Sequence, residues 1–309
     1  MRIIVTGGAG FIGSHIVDRL IKDGHHVTVV DDLSTGKKAN LNPKAKFYKL
    51  SVTSDKLSAV WQKVKPQAVF HLAAQMSVRH SVENPKFDAS VNIVGAINVL
   101  ENCRKYGTKK VIFSSTGGAM YGEAPRRFIP TRESYPPQPQ SPYGIAKYSV
   151  EHYLEYYYEI FGLRYVALRF SNVYGPRQNS HGEAGVVAIF IDRLLRGKQP
   201  VINGVGVQTR DYVYVSDVVD AAMLAMKRSK IGSYNISTAK ETNVNQIFNK
   251  ITKALKTKIR AKHGSAKIGE QRRSCLSYDL ASRDLGWKPK MRLDEGIKKT
   301  AEWFKNNNK

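Results

Sequence analysis

Residues 3–31 read IIVTGGAGFIGSHIVDRLIKDGHHVTVVD, and this stretch decides the fold. A β-branched apolar run ends at Thr6 and meets Gly7, Gly8, Ala9, Gly10, Phe11, Ile12 and Gly13. Ile16, Val17, Leu20 and Ile21 then recur at helical spacing, and a second apolar run ends at Asp31. Glycines permit a tight strand-to-helix turn and let backbone amides approach a pyrophosphate, while the helix start offers unpaired N–H groups and a positive dipole end. Asp31 stands 18 residues after Gly13, close to the offset of about 20 expected for a carboxylate that binds an adenosine ribose diol. Asp32 beside it would repel the extra phosphate of a phosphorylated dinucleotide, so the expected cofactor is NAD and not NADP.

Outward from this unit the same rhythm repeats. FYKL at 47–50, AVFHLA at 68–73, KVIFSS at 110–115 and RYVALRF at 164–170 alternate with longer amphipathic segments. Consecutive parallel strands need a crossover of a dozen or more residues, so the alternation predicts a doubly wound α/β sheet of the Rossmann type. After residue 171 the rhythm breaks into a Gly- and Pro-bearing loop, the helical segment VVAIFIDRLLRG, short strands and a helix near 242–256. The expected organisation is a dinucleotide-binding domain over 1–170 and a smaller substrate lobe over 171–309, with segments such as YVYVSDVVDAAMLAM able to return to the first.

A chain of 309 residues that is 42% hydrophobic can bury a large core and is not intrinsically disordered. Cys103 and Cys275 share no metal-ligand spacing with the histidines, which points to a reducing, cytoplasmic setting and no metal. No apolar stretch approaches the length of a membrane span, and the N-terminus leaves no room for a signal peptide. Lys and Arg outnumber Asp and Glu 49 to 25, a formal net charge of +24. That charge raises nucleic-acid binding as an alternative, yet no recognition-helix, RNP or zinc-finger pattern accompanies it, and a basic surface also suits anionic small molecules.

At 141–147 the chain reads SPYGIAK, with Ser141 as N-cap and Pro142 at the first helical position. Tyr143 and Lys147 then fall on one helix face. Alone, such a pair marks many solvated helices. Its company changes the reading, because FSST places Ser114, Ser115 and Thr116 at the carboxyl edge of a strand, where ligands sit in open α/β sheets. A hydroxyl there can bind the same substrate alcohol that Tyr143 deprotonates. Bringing a phenol from its ordinary pKa of about 10 to neutrality takes roughly 4 kcal/mol of differential stabilisation, expected from the Lys147 ammonium and a cationic nicotinamide ring.

With TGGAGFIG, SST and YGIAK in this order, and with HLAAQMSV at 71–78, RFSNVYGPRQ at 169–178 and TRDYVYVSD at 209–217, the chain resembles the extended short-chain dehydrogenase/reductase superfamily. Within it, the chain is most similar to the UDP-glucose 4-epimerase family of nucleotide-sugar epimerases. The resemblance implies an isomerase in which Thr116 and Tyr143 are the catalytic hydroxyl and base and Lys147 binds the nicotinamide ribose. It implies NAD contacts at Gly7, Gly10, Phe11, Ile12, Gly13, Asp31, Asp32, Leu33, Ser34, Gly36, Val52, Leu72, Ala73, Ala74, Gln75, Asn92 and Ser114. It implies UDP-sugar contacts at Asn172, Val186, Val187, Val201, Asn203, Arg210, Lys267, Glu270 and Ser274. A homodimer through the helices near 86–106 and 142–161 is also implied.

Related dehydratases and decarboxylases carry an acid directly after the hydroxyl residue, where this chain has Gly117, Gly118 and Ala119, so simple redox inversion is expected rather than elimination. Glu123 is the nearest distant substitute and reads more simply as part of a loop. Lys267 for Arg, Glu270 for Asp, Asn203 for an aromatic and Ser51-Val52 for an Asp-hydrophobe pair depart from the family pattern and bear on nucleotide identity. Ser274 stands where a bulky Tyr looks like the choice of enzymes restricted to plain hexoses, which predicts that N-acetylated UDP-sugars are accepted too.

Overall fold

The computed structural model describes residues 1–180, 185–266 and 271–307. Its first half alternates β1 (Arg2–Thr6), α1 (Phe11–Lys22), β2 (His26–Asp31), β3 (Lys46–Lys49), α2 (Leu57–Val64), β4 (Ala68–His71), α3 (Val78–Glu83), α4 (Pro85–Ala89), a π-helical turn Ser90–Val94, α5 (Gly95–Lys105), β5 (Lys110–Thr116), α6 (Pro142–Phe161) and β6 (Arg164–Phe170). There follow β7 (Asn172–Tyr174), α7 (Val186–Leu195), β8 (Val201–Asn203), β9 (Thr209–Arg210), β10 (Tyr212–Tyr214), α8 (Val215–Lys227), β11 (Gly232–Ile236), β12 (Thr242–Asn243), α9 (Val244–Leu255), β13 (Lys262–Gly264), β14 (Arg273–Ser274), α10 (Asp279–Leu285) and α11 (Leu293–Asn307).

The central sheet has seven strands in the order β11-β6-β5-β4-β1-β2-β3, every pair parallel. Parallel strands covered on both faces read as unbroken apolar runs, and β1 shows why. Ile3 and Val5 enter one core with Ile16, Val17 and Leu20 of α1 and Val218 and Ala222 of α8. Ile4, pointing the other way, enters the second core with Trp61 of α2, Leu100 of α5 and Leu154 of α6. A third core joins α7, α9 and α11 around Ile191, Ile247 and Ile297.

The helix starts follow their sequence cues. Ser141 Oγ accepts the Gly144 N–H at 3.2 Å with Pro142 in the first turn, and Gly162 ends α6 in the left-handed region. Asn243 and Gln246 cap α9 reciprocally. The stretch near 86–106 is helical as expected, with α4 running into α5 through the π-helical turn, which carries Asn92; such turns often lie at functional sites.

The chain runs from β1 outward to β3, then crosses back to β4 on the other side of β1. That reversal opens a crevice above the carboxyl ends of β1 and β4. Among the described residues, no helix is long and apolar enough to cross a membrane, and no cluster of His, Cys, Asp and Glu has metal-holding geometry.

Candidate active site

The crevice is floored by the glycine turn. Gly7 has φ +71°, and a Cβ there would lie 2.6 Å from the Ala73 backbone nitrogen; a Cβ on Gly13 would lie 2.1 Å from the Gly7 carbonyl oxygen. Only glycine allows the β1 turn, the β4 loop and the first turn of α1 to meet this closely. Gly10 is the N-cap of α1 and no side chain caps it, so Phe11, Ile12 and Gly13 open the helix with N–H groups aimed into the crevice. At the end of β2, Asp31 is buried and accepts N–H bonds from Ala9 at 2.9 Å and Leu33 at 2.8 Å. Burial pushes its carboxyl above the usual range against those two bonds. Asp32 is exposed and takes the Ser34 N–H, while Gly36 packs against the Asp31 carboxylate so closely that a Cβ would lie 2.8 Å from it. Val52 is buried beside Gly95, where a Cβ would meet its Cγ2 at 2.8 Å. Glycines that no larger residue could replace, an uncapped helix start and a carboxylate at the next strand end fit an NAD molecule.

The opposite wall is the loop Leu72, Ala73, Ala74 and Gln75. Asn92 clamps it: its amide oxygen accepts the Gln75 N–H at 2.9 Å, and its NH2 donates to the Gln75 carbonyl and to Asp88 Oδ1, each at 2.9 Å. Both ends of this buried amide are therefore engaged by protein. Beneath the loop, the Thr6 hydroxyl and His71 Nδ1 are 2.7 Å apart, joining β1 to β4. Complete burial, with the Lys147 charge adding to it, pushes His71 down to about 3, so the imidazole is neutral.

Thr116 ends β5, and the Ala119 N–H donates to its Oγ1 at 3.2 Å. The Tyr143 backbone N–H donates to Ser81 Oγ at 3.2 Å, which fixes the start of α6. The Tyr143 phenol lies beside Thr116, whose side chain favours the phenolate, and Lys147, buried one turn along, donates from Nζ to the Ser114 carbonyl at 2.8 Å. Thr116, Tyr143, Lys147 and Ser114 thus converge at the carboxyl end of β5. Ser115 points the other way and donates to Glu151.

Without a cofactor in the crevice, burial first and the Asp88 carboxylate second push the Tyr143 phenol up to about 12, against its interaction with Thr116. Lys147 is itself held down at about 8 by burial, against the carboxylates of Asp88 and Glu151. Its Nζ lies 5.8 Å from the centroid of the Tyr143 ring. A lowered phenol pKa therefore needs a further positive charge in the crevice.

The second lobe closes the other side. β9 pairs parallel with β14 so that Arg210 lies directly beside Ser274, and in-register parallel neighbours share a face. Two residues on, Leu276 reaches β5: a Cβ on Gly117 would lie 2.2 Å from its Cδ1. The Asn172 N–H bonds the Asp211 carbonyl, and the Asn172 side-chain oxygen approaches within 4.0 Å of a Cβ on Gly118. Ser274 is therefore part of a short buried strand, not a turn cap. Val186 and Val187 open α7; Val187 packs in the third core, leaving its backbone N–H as what it can offer a ligand. Val201 and Asn203 lie on β8, Val201 exposed and Asn203 half-buried with its carbonyl accepting from Gln208. Lys267 and Glu270 fall outside the described residues. Glu123 accepts the Arg272 N–H and Gln271 Nε2 donates to the Gly122 carbonyl, so this loop ties the lobes together.

Two buried acids near the site escaped the sequence reading. Glu151, one turn beyond Lys147, pairs with Arg169 at 2.6 Å, and Arg169 also donates to the Tyr121 hydroxyl. Asp88 lies under Gln75 and Asn92. The i, i+4 spacings of Lys147 with Glu151 and of Asp88 with Asn92 are the only local signals of either.

The model of the NAD dependent epimerase/dehydratase family matches residues 3–237. The solved UDP-glucose 4-epimerase of Thermotoga maritima, with UDP-glucose, is 50% identical at a TM-score of 0.98, with all of both chains covered. That of Thermus thermophilus, in complex with NAD, is 42% identical at 0.95, covering 99% of this chain and 100% of that one. The UDP-N-acetylglucosamine 4-epimerase of Methanobrevibacter ruminantium, in complex with UDP-N-acetylmuramic acid, is 37% identical at 0.93, covering 98% and 97%.

Proposed function

This chain belongs to the NAD dependent epimerase/dehydratase family, and we propose that it is an isomerase, an NAD-dependent UDP-hexose 4-epimerase that interconverts UDP-glucose and UDP-galactose. The observation that carries this reading over a dehydratase is the Gly117–Leu276 contact. Elimination needs an acid beside the hydroxyl residue, and Leu276 fills the space such a side chain would take.

In this reading the crevice residues Gly7, Gly10, Phe11, Ile12 and Gly13 hold the cofactor pyrophosphate. Asp31 and its neighbours Asp32, Leu33, Ser34 and Gly36 hold the adenosine ribose, Val52 the adenine, and the Leu72–Gln75 loop, Asn92, Ser114 and Lys147 the nicotinamide end. NAD bound there supplies a reversible hydride acceptor at the sugar C4. Tyr143 takes the 4-hydroxyl proton and later returns it, and Thr116 orients that hydroxyl by hydrogen bonding. Arg210, with Asn172, Val186, Val187, Val201, Asn203, Lys267 and Glu270, holds the nucleotide diphosphate. The sugar is thereby anchored at its far end and free to present its other face.

Ser274 leaves room for an N-acetyl group, which extends the substrate range to UDP-GlcNAc and UDP-GalNAc; the similarity to the Methanobrevibacter enzyme supports this. A homodimer is supported by apolar side chains left exposed on α4, the π-helical turn and α6: Phe87, Val94, Ile145 and Tyr156 are each about half exposed.

The test is to incubate purified protein with UDP-galactose and no added cofactor. UDP-glucose should accumulate to equilibrium without NADH release into solution. Steady NADH release indicates a dehydrogenase, and loss of water from the sugar a dehydratase; either overturns the reading.

A further inference from the structure

Glu151 is buried on α6, one turn beyond Lys147 and two beyond Tyr143. Its carboxylate is bonded by three neighbouring strands of the central sheet. Oε1 accepts from Ser115 Oγ of β5 at 2.5 Å and from Arg169 Nε of β6 at 3.0 Å, while Oε2 accepts from Arg169 Nη2 at 2.6 Å and from Ser233 Oγ of β11 at 2.7 Å. Ser115 and Arg169 are direct partners in the β5–β6 register, so their side chains share a face of the sheet and meet the carboxylate together. Arg169 is fixed from its far side as well. Its Nη1 donates to the Tyr121 hydroxyl at 2.7 Å, and that hydroxyl donates to Asn235 Oδ1 of β11 at 2.9 Å. Ser115, Glu151 and Arg169 are all less than a tenth exposed.

A buried ion pair is a weak source of stability, since apolar side chains of similar volume often serve as well or better. What a fully bonded one supplies is direction, because each hydrogen bond holds only at one separation and angle. The place of this pair gives that direction a use. Ser115 directly precedes Thr116, so β5 cannot shift against α6 at Ser115 without moving Thr116 against Tyr143. The Lys147 bond to the Ser114 carbonyl grips the same strand, but in the epimerase reading that ammonium is shared with the cofactor, whereas Glu151 is held by protein groups. We propose that Glu151, locked by Arg169, is a positioning residue: it braces α6 against β5, β6 and β11 and so sets the spacing of the Tyr143 and Thr116 hydroxyls at the sugar. Misplacement of reacting groups by about 1 Å can cost about 100-fold in rate, so a brace one residue from the catalytic hydroxyl acts on turnover before it acts on binding. The inference rests on the epimerase reading for the reaction it serves, and on hydrogen bonds alone for the brace.

A single change at Glu151 leaves Arg169 buried without its partner and confounds position with folding, so the pair is replaced together. Glu151→Met with Arg169→Met fills the space with apolar side chains and should keep Tm close to the parent's. Its kcat for UDP-galactose should nevertheless fall by about 100-fold, with KM and the content of bound NAD unchanged. Ser115→Ala, which removes one bond and leaves the ion pair, should show a smaller fall in kcat of the same kind. The second readout needs no substrate: hydrogen exchange of the purified protein, followed by mass spectrometry, should be faster in both variants at the end of β5 and in the first two turns of α6. A folded double variant with the parent's kcat, one that loses KM instead of kcat, or one with unchanged exchange in these two segments overturns the inference. If the double variant does not fold, Ser115→Ala decides alone, and parental kcat and exchange there overturn it. Failure of the parent to turn over UDP-galactose overturns the epimerase reading instead, and the exchange rates still decide whether Glu151 braces α6 against β5.

Discussion

Leu276 Cδ1 occupies the space beside Gly117, where a Cβ would come within 2.2 Å. Gly117 follows Thr116 on β5 and Leu276 belongs to the segment after β14, so one contact joins the catalytic strand to the second lobe.

Gly117→Ala should therefore overpack this junction. Such insertions cost about 1–3 kcal/mol, a fall of several degrees in Tm by scanning calorimetry. Adding Leu276→Ala should lose less than the sum of the two single losses, because the truncated side chain makes room for the new methyl. Strict additivity would show that the two residues do not share this space.

Tyr143→Phe keeps the ring and removes the proton acceptor. Turnover of UDP-galactose should drop by about two to four orders of magnitude with NAD still bound, as read from the absorbance of the purified protein. Thr116→Val should slow turnover by less, since it removes a hydrogen bond and not the base. Near-normal turnover by Tyr143→Phe would remove Tyr143 from the mechanism.

Ser274 lies beside Arg210 in the β9–β14 pair and is 7% exposed. Ser274→Tyr should abolish interconversion of UDP-GlcNAc and UDP-GalNAc while sparing UDP-galactose, measured as kcat/KM on each. Equal loss on both, or on neither, would take Ser274 out of the sugar pocket.

His71 gives a pH prediction. In the unfolded chain its imidazole gains a proton near 6.5, but in the folded protein only near 3. Stability from the neutral, Thr6-bonded ring is present above pH 6.5 and is lost as pH falls toward 3. By pH 5 the loss is about 2 kcal/mol. The Tm of the parent should fall between pH 7 and 5 more steeply than that of His71→Gln; parallel curves would show that His71 does not contribute to acid lability.

Residues 3–31 by themselves determine the βα start of the sheet, because helix and strand periods, glycines and caps act over a few neighbouring residues. The same holds for SPYGIAK, where Ser141, Pro142, Tyr143 and Lys147 lie within two turns of one helix. Only the tertiary structure decided what surrounds them. Burial raises the Tyr143 phenol, and desolvation depends on every segment packed around a group, not on its neighbours in the chain. No local spacing shows that α4 turns Asp88 under Gln75, or that the second lobe carries Leu276 to Gly117. Local pattern sets which element forms; the charge state and the free space at the site are set by contacts between residues far apart in sequence, which no local period encodes.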